Sequence, residues 1–512
     1  MNPTDPSLKP TRVRYGVLAF CCVLSMVTYL DRVCFGTVAP FIQREFELTS
    51  AQLGYLFGAF TLAYAVFEVP TGWLGDRFGP RKTLIRIVLW WSFFTALTGI
   101  VKPSSGSIVI MGTTLSLSFL SLLAVRFLFG LGEAGAYPNI ARAFHNWFPF
   151  TERGSVKGAV WMAGRFAGGV TPFIVLLLIQ ETVVDGTTVV AWRHTFLIFG
   201  GLGVVWCVLF WMWFKDHPEQ KASVNQAEID LIHAGDATHG SAKLNVPWGK
   251  LFGSGNLWLL CGMYFCASFG WYFNITYLPG FLEDQYGLLR GEKFTSGWWS
   301  FSIMAGLPLL LGSFACLLGG VLTDLVIRKT GNQKWGRRVF GLLGHGLCAL
   351  CYFLAVFLVW NNPEKANRTL SSAWMFTLAI AFAAFWNDMT MGSAWASCLD
   401  IGGRFSGIVA GCMNTIGNLG GFVANIVTGL VLEHFLVGIP KGSPEYFNAS
   451  QPAWIINLAM SGVIYVIAVV LWIRFDSTKP VTPEALGTPP EPPMAPPISL
   501  EKIEEDLRGF RR

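Results

Sequence analysis

Eight ionisable side chains stand inside otherwise apolar runs of this 512-residue chain: Asp31, Arg32, Glu68, Arg126, Glu133, Arg165, His345 and Asp388. A charge at mid-membrane costs about 2.5–3.5 kcal/mol on insertion scales, so each is a candidate functional group. Arg126 and Glu133 are seven residues apart with Gly130 on the same stripe. Two helical turns therefore put an arginine and a carboxylate on one face, with room between them for a ligand or a partner helix. Arg32 follows Asp31 directly, and Tyr29 lies three residues back on the Arg32 face. Acid, cation and hydroxyl then sit near one depth. An arginine can hold a carboxylate through two parallel hydrogen bonds. Desolvation favours the protonated form of a buried carboxyl group, and a neighbouring arginine favours the ionised form. An anion that occupies the arginine removes the second effect, so anion binding and proton uptake reinforce each other. The competing reading is structural: a buried pair such as Asp31 with Arg126, or Glu133 with Arg32. Such pairs stabilise less than apolar packing does.

Other groups are read in the same two ways. Arg165, in WMAGRFAGG, recognises a second carboxylate if it faces a cavity, and otherwise pairs with Glu133 or Asp31. Asn414 and Asn418 are one turn apart in a glycine-rich run, where amides suit either sugar hydroxyls or bonds between helices. Glu68 reads as a snorkelling or gating group, His345 as a packing residue, and Asp388 as part of a polar cavity. Tyr272, Asn274 and Tyr277 read as cavity lining. Enzyme signatures such as GxxxxGK[ST], HExxH and GxSxG do not occur, and no His/Cys cluster has metal spacing. The expectation is a non-enzyme without cofactor or metal.

The elements that must position these groups follow from composition. The chain is 53% hydrophobic and 13% charged, with a mean hydropathy of +0.49, about half the charge of a soluble domain. A soluble monomer is excluded. The 15% aromatic share suits helices facing lipid with rings at both interfaces. Apolar runs of about 20 residues predict twelve spans, in two bundles of six at residues 15–214 and 254–475. A polar linker covers 215–253, a short tail 1–14, and a Pro-rich tail, mostly disordered, 476–512. The N-terminal run has no small-residue cleavage site and is not read as a signal peptide. Of the 37 Lys and Arg residues, 26 fall on the side of the N-terminus, eight on the other and three inside spans. Both termini are therefore expected in the cytosol. The net charge of +6 comes from these topology clusters, which argues against nucleic acid. All eleven cysteines lie in apolar runs, which argues against a disulfide framework.

An internal repeat supports the two halves. Gly72, Asp76, Arg77, Gly79, Arg81 and Lys82 follow the second span, and Gly320-x-x-x-Asp324 with a basic run follows the eighth. The first copy matches GxxxDRxGRR/K, the loop of the major facilitator superfamily. Within it the chain resembles the anion:cation symporter family, through TYLDR (28–32), FEVPTGWLGDRFGPRK (67–82), VRFLFGLGEAGAYPN (125–139) with WFPFTERG (147–154), and ASCLDIGGRFSGIVAGCMNTIGNLGG (396–421). The resemblance implies an all-α membrane protein of twelve helices in two pseudo-symmetric bundles. It also implies a monomeric carrier in the bacterial inner membrane that takes up a small organic anion, a hexuronate or other sugar acid, with protons; sodium stays open as the coupling ion. Substrate binding is expected at Tyr29, Arg32, Arg126, Arg165 and Asn414, in a cavity of net positive charge. Proton coupling is expected at Asp31 and Glu133, and a conformational latch between halves at Gly72, Asp76, Arg77, Gly79 and Arg81. The alternatives are an organophosphate-type anion exchanger and a non-transporting nutrient sensor, and the largely featureless linker argues against the sensor.

Overall fold

The computed structural model describes residues 9–110, 113–149, 152–184, 187–233, 246–288, 296–362, 368–441 and 443–483. The first six spans are α1 (Arg14–Glu45), α2 (Ser50–Phe78), α3 (Pro80–Ile100), α4 (Leu117–Glu133) continued by α5 (Ala136–Trp147), α6 (Arg153–Leu178) and α7 (Arg193–Trp213). The linker holds α8 (Gln226–His233) and α9 (Trp248–Phe252). The second six are α10 (Gly255–Thr276) continued by α11 (Leu278–Tyr286), α12 (Ser296–Thr330), α13 (Gln333–Trp360), α14 (Leu370–Gly402), α15 (Ser406–Leu436) and α16 (Pro444–Arg474). Eleven of these are long and apolar enough to cross a membrane. The twelfth is α10, whose Tyr264, Trp271, Tyr272 and Asn274 dilute its hydropathy while the fold still gives it a spanning length.

Local chemistry sets the helix ends. Thr49 caps α2 in a reciprocal box with Gln52, while Ser116, Thr369 and Ser443 cap α4, α14 and α16, each satisfying an N–H that the first turn leaves open. Between α2 and α3 the chain reverses at Gly79, whose φ of +82° suits only glycine, with the Asp216 carboxylate packed where a side chain would stand. The outward faces stay apolar: Val205, Trp211 and Met212 on α7, Phe314 and Val321 on α12, and Leu350 and Phe357 on α13 are all exposed. That is the surface a bilayer solvates.

Two features depart from the sequence reading. The loops before α4 and before α7 are not plain connections but two-stranded antiparallel hairpins, β1 (Ser107–Ile110) with β2 (Thr113–Ser116), and β3 (Gln180–Val184) with β4 (Thr187–Ala191). β-Branched runs flanking Asp185-Gly186 carried that signal. The linker is also not featureless. Glu228 of α8 is fully buried and accepts hydrogen bonds from the Thr11 hydroxyl, the Val13 N–H and the Arg14 N–H. It pairs with Arg14 at 3.1 Å, and Arg14 also reaches Glu152 at 3.1 Å. A carboxylate thus sits on the positive end of α1 and ties the linker to the starts of α1 and α6. The segment after α16 docks as well, through Lys334 and Asp476 at 2.7 Å and the Val481 N–H on the Ile401 carbonyl. Partial burial works against the Asp476 charge, but Lys334 and Thr478 hold it down to about 2. The Pro-rich stretch from residue 484 onward lies outside the described residues.

Glu228→Ala removes both the cap and a buried partner. It should destabilise the purified protein by about 2–4 kcal/mol, read as a lower thermal midpoint in detergent. An unchanged midpoint would mean that the linker is not part of the folded bundle.

Candidate functional site

Asp31, Arg32, Arg126 and Glu133 meet in the middle of the first six helices, on α1 and α4. Arg32 Nε donates to Glu133 Oε1 at 2.6 Å, so one of the structural pairings read from the sequence exists. The other does not: no carboxylate lies within ion-pairing distance of Arg126 among the described residues. Its guanidinium rests instead on the rings of Phe35 at 4.1 Å and of Phe60 and Phe129 at 5.0 Å, a weak substitute for a counter-charge. Arg126 Nε, Glu133 Oε2 and Asp31 Oδ1 are buried without hydrogen-bond partners among the described residues. Arg32 lies over Tyr64 at 4.6 Å, Phe60 at 5.4 Å and Tyr29 at 5.9 Å, so both arginines share Phe60. Gly130 admits a partner helix and not a ligand, because its missing side chain leaves space filled by the Phe60 carbonyl of α2.

The remaining candidates join the two halves. Arg165 of α6 pairs with Asp388 of α14, and not with Glu133 or Asp31 as the sequence reading allowed. Asn414 of α15 donates to Glu68 of α2, and the Asn418 amide lies 3.5 Å from the same carboxylate. The Asn418 oxygen accepts from the Tyr272 hydroxyl at 2.9 Å. Glu68 is therefore a central group, 7% exposed, not a snorkelling one, and Asn414 is engaged by it in this state. Arg32, Arg126 and Arg165 share the buried interior with the carboxyl groups of Asp31, Glu68, Glu133 and Asp388, so the net charge of the cavity depends on how many of those carboxyl groups carry a proton. Asn274 accepts from Tyr352 inside the second half. His345 accepts at Nδ1 from the Trp472 indole at 2.9 Å, a packing role. The sequence reading missed Tyr64 and gave Trp271 no role, although both carry arginines here; for Tyr64 its place one turn before Glu68 was the signal, while Trp271 carried none beyond being aromatic.

The fold agrees with the comparisons to known proteins. The profile of the major facilitator superfamily matches residues 21–425. The chain belongs to that superfamily. It is 31% identical to a probable sulfoacetate transporter of Cupriavidus necator over 82% of this chain and 88% of that one. It is 29% identical to a probable galactarate/D-glucarate transporter of Escherichia coli K12 over 83% and 88%, and 25% identical to a hexuronate transporter of Bacillus subtilis over 94% and 98%. Among solved structures, a bacterial homologue of the human lysosomal transporter Spinster matches with a TM-score of 0.67 at 17% identity, covering 91% of this chain and 97% of that one. A D-xylose-proton symporter gives 0.62 at 14%, covering 91% and 98%. At these identities the structural likeness speaks for the fold alone.

The superfamily loop sits where α2 turns into α3. Gly72 packs on Pro138, and Gly75 admits the Asn139 side chain. Arg77 lies over Trp73 and Phe78 at 5.3 and 5.4 Å. The Arg81 N–H donates to Asp216 at 2.8 Å and its guanidinium to the Trp211 carbonyl. Asp76 closes the last turn of α2, and its side chain lies outside the described residues. Among the described residues these partners belong to the first half and, through Asp216, to the start of the linker. In the second half Arg337 bridges Asp324 at 3.0 Å and Asp400 at 2.9 Å.

At the end of the bundle opposite the termini the halves are shut. A side chain on Gly54 would meet the Asn425 carbonyl at 2.8 Å, and one on Gly429 would meet the Ser50 carbonyl at 2.8 Å. Glu433 accepts the Ser50 N–H at 2.8 Å, and Arg44 pairs with Glu283 at 2.5 Å. Lys441 reaches Asp284 at 3.3 Å. Gly54→Val should wedge α2 from α15. In a background with the native cysteines replaced, Ser50→Cys should then react severalfold faster with a membrane-impermeant thiol reagent. An unchanged rate would show that this glycine contact does not set the closure.

Proposed function

We propose that the chain is a secondary active carrier that moves a small organic anion together with protons by alternating access of its two halves. The observation that carries this reading is the charge balance of the site. Three arginines lie among four carboxyl groups in one buried region, so an anion that binds an arginine there competes with a carboxylate, and the displaced carboxylate favours taking up a proton. Arg126 is the arginine without a carboxylate, which supports it as the first holdfast for the anion. Arg32 lies over the same ring and is held by Glu133. An anion that takes Arg32 strips Glu133 of its cation, and Glu133 then keeps its place in a dry site by binding a proton. Asp31, one residue before Arg32 and with an unpartnered oxygen, is the second proton site. Anion and proton together then add no net charge to the buried site, and the loaded carrier can rock.

The printed activities of the relatives, sulfoacetate, galactarate/D-glucarate and hexuronate transport, support a small organic acid, including sugar acids, as the substrate class. Together with the clustering of basic residues beside the termini, they support a bacterial inner membrane with both termini in the cytosol. An exchanger of organic phosphates would use the arginines equally well, but it has less use for the unpaired oxygens of Asp31 and Glu133.

In proteoliposomes an inward proton gradient should drive accumulation of one sugar acid or diacid. Glu133→Gln should lower that accumulation by about tenfold or more while counterflow exchange at zero gradient continues. Exchange indifferent to pH, with accumulation unimpaired in Glu133→Gln, would move the protein to the exchanger class and leave Glu133 as a structural partner of Arg32.

A further inference from the structure

The pairing of Arg165 with Asp388 differs from that of Arg32 with Glu133 in one respect: its members belong to different halves. An ion pair inside one half survives a rocking motion, whereas one that joins the halves is stretched by it. Both groups are buried, at 5% and 1% exposure. Separating them without a replacement leaves two charges unpaired in a low-dielectric interior, which is strongly unfavourable. A hydroxyl of a substrate does not neutralise a guanidinium. A second acidic group does.

The surroundings fix Asp388 and leave Arg165 free to change partner. The Asn387 amide donates to Asp388 Oδ1 at 3.2 Å, and the Tyr465 hydroxyl lies 3.1 Å from the Asn387 oxygen, so Asp388 is braced from behind inside its own half. Gly312 of α12 leaves the opening through which the Asp388 carboxylate reaches α6. Arg165 has no such brace: its Nε is without a hydrogen-bond partner among the described residues, and its guanidinium lies 5.8 Å from the Trp271 ring. Trp271 meets Tyr29 edge-on at 6.1 Å, and Tyr29 carries Arg32 on its ring at 5.9 Å. An aromatic pair, Tyr29 and Trp271, thus stands between the Arg32 cluster and Arg165, each ring against one of the two cations.

We propose that Arg165 is the second acid-binding group of the transport site and that Asp388 stands in for the substrate when the site is empty. The carried anion is then a small molecule with acidic groups at both ends, one on Arg126 and the other on Arg165. This rests on the reading of the site as an anion carrier. When the second acidic group takes Arg165, Asp388 is released to the Asn387 amide and neutralised by a proton from solution, and the cross-half pair is replaced by a pair within the first half plus the substrate. The empty protein keeps its halves tied; a diacid unties them, and a monoacid leaves the tie in place.

The test is the ratio of two affinities measured on the purified full chain by calorimetry, for D-gluconate and D-glucarate, which share a carbon skeleton and differ in the second carboxylate. Wild type should favour glucarate by about tenfold or more, the scale of one charge-assisted hydrogen-bonded pair. Arg165→Gln should bring the ratio close to one. The double variant Arg165→Gln with Asp388→Asn replaces the ion pair by two amides and guards against misfolding of the single variant; it should also lose the preference, whereas a merely structural pair would regain it. Asp388→Asn alone removes the competitor and should tighten glucarate binding. A ratio that stays within twofold of wild type in Arg165→Gln or in the double variant overturns the inference and leaves the anion-carrier reading intact. Failure of wild type to bind either acid overturns both.

Discussion

Three arginines buried in the middle of a membrane bundle are the constraint on which the rest of this structure depends. Each guanidinium must be given a partner or a polarisable surface, because water is not there to solvate it. The protein gives each a different solution: Arg32 pairs with a carboxylate in its own half, Arg165 with one from the other half, and Arg126, without an ion pair among the described residues, rests on aromatic faces. The difference in their bonds makes the site asymmetric. It separates an open anchor from two positions that an anion reaches only by displacing a carboxylate.

Those positions are exact only because the helices come close. Glycine removes the side chain wherever a backbone or a charged group must pass: Gly130 for the α2 backbone, Gly306 against Gly169 between α12 and α6, and Gly312 for Asp388. Close approach on the side away from the termini, through Gly54 and Gly429, shuts that end. The bonds between Glu68 and Asn414 and between Arg165 and Asp388 then lie one layer deeper, near the centre. The halves are thus joined by glycine packing and polar bonds such as Arg44 to Glu283 at one end, and by buried charge in the middle. Only the charged contacts can respond to what enters the site.

The twelve-span architecture was legible because lipid imposes a length and an apolarity on each element, and the repeated glycine and basic loop marked the division into halves. Even α10, too polar for a hydropathy threshold, was counted among the twelve apolar runs. The pair Arg32 and Glu133 was within reach because both residues break apolar runs. The partner of Arg165 was not, since which of several buried carboxylates meets it depends on how α6 and α14 cross, and no spacing along one chain encodes that. The partner of Glu68 was hidden for the same reason: its distance from the loop is local, whereas Asn414 is brought to it by the packing of α2 on α15. Tyr64 and Trp271 were passed over because aromatic residues are common here, and only the structure singles out those lying under a guanidinium. The clamp of Glu228 on the start of α1 was hidden in a segment whose polar composition reads as a plain linker.

The claim on which everything else turns is that an anion enters this site only with protons. The direct measurement is proton uptake on ligand binding: purified protein in weakly buffered solution with a pH indicator, titrated with D-glucarate and with D-gluconate across the range from pH 5.5 to about pH 8, where an unpaired carboxyl group in a dry site changes state. The coupling described here predicts uptake of about one proton or more per bound anion, with affinity falling as pH rises. Binding without proton uptake, and with the same affinity at every pH, would contradict it.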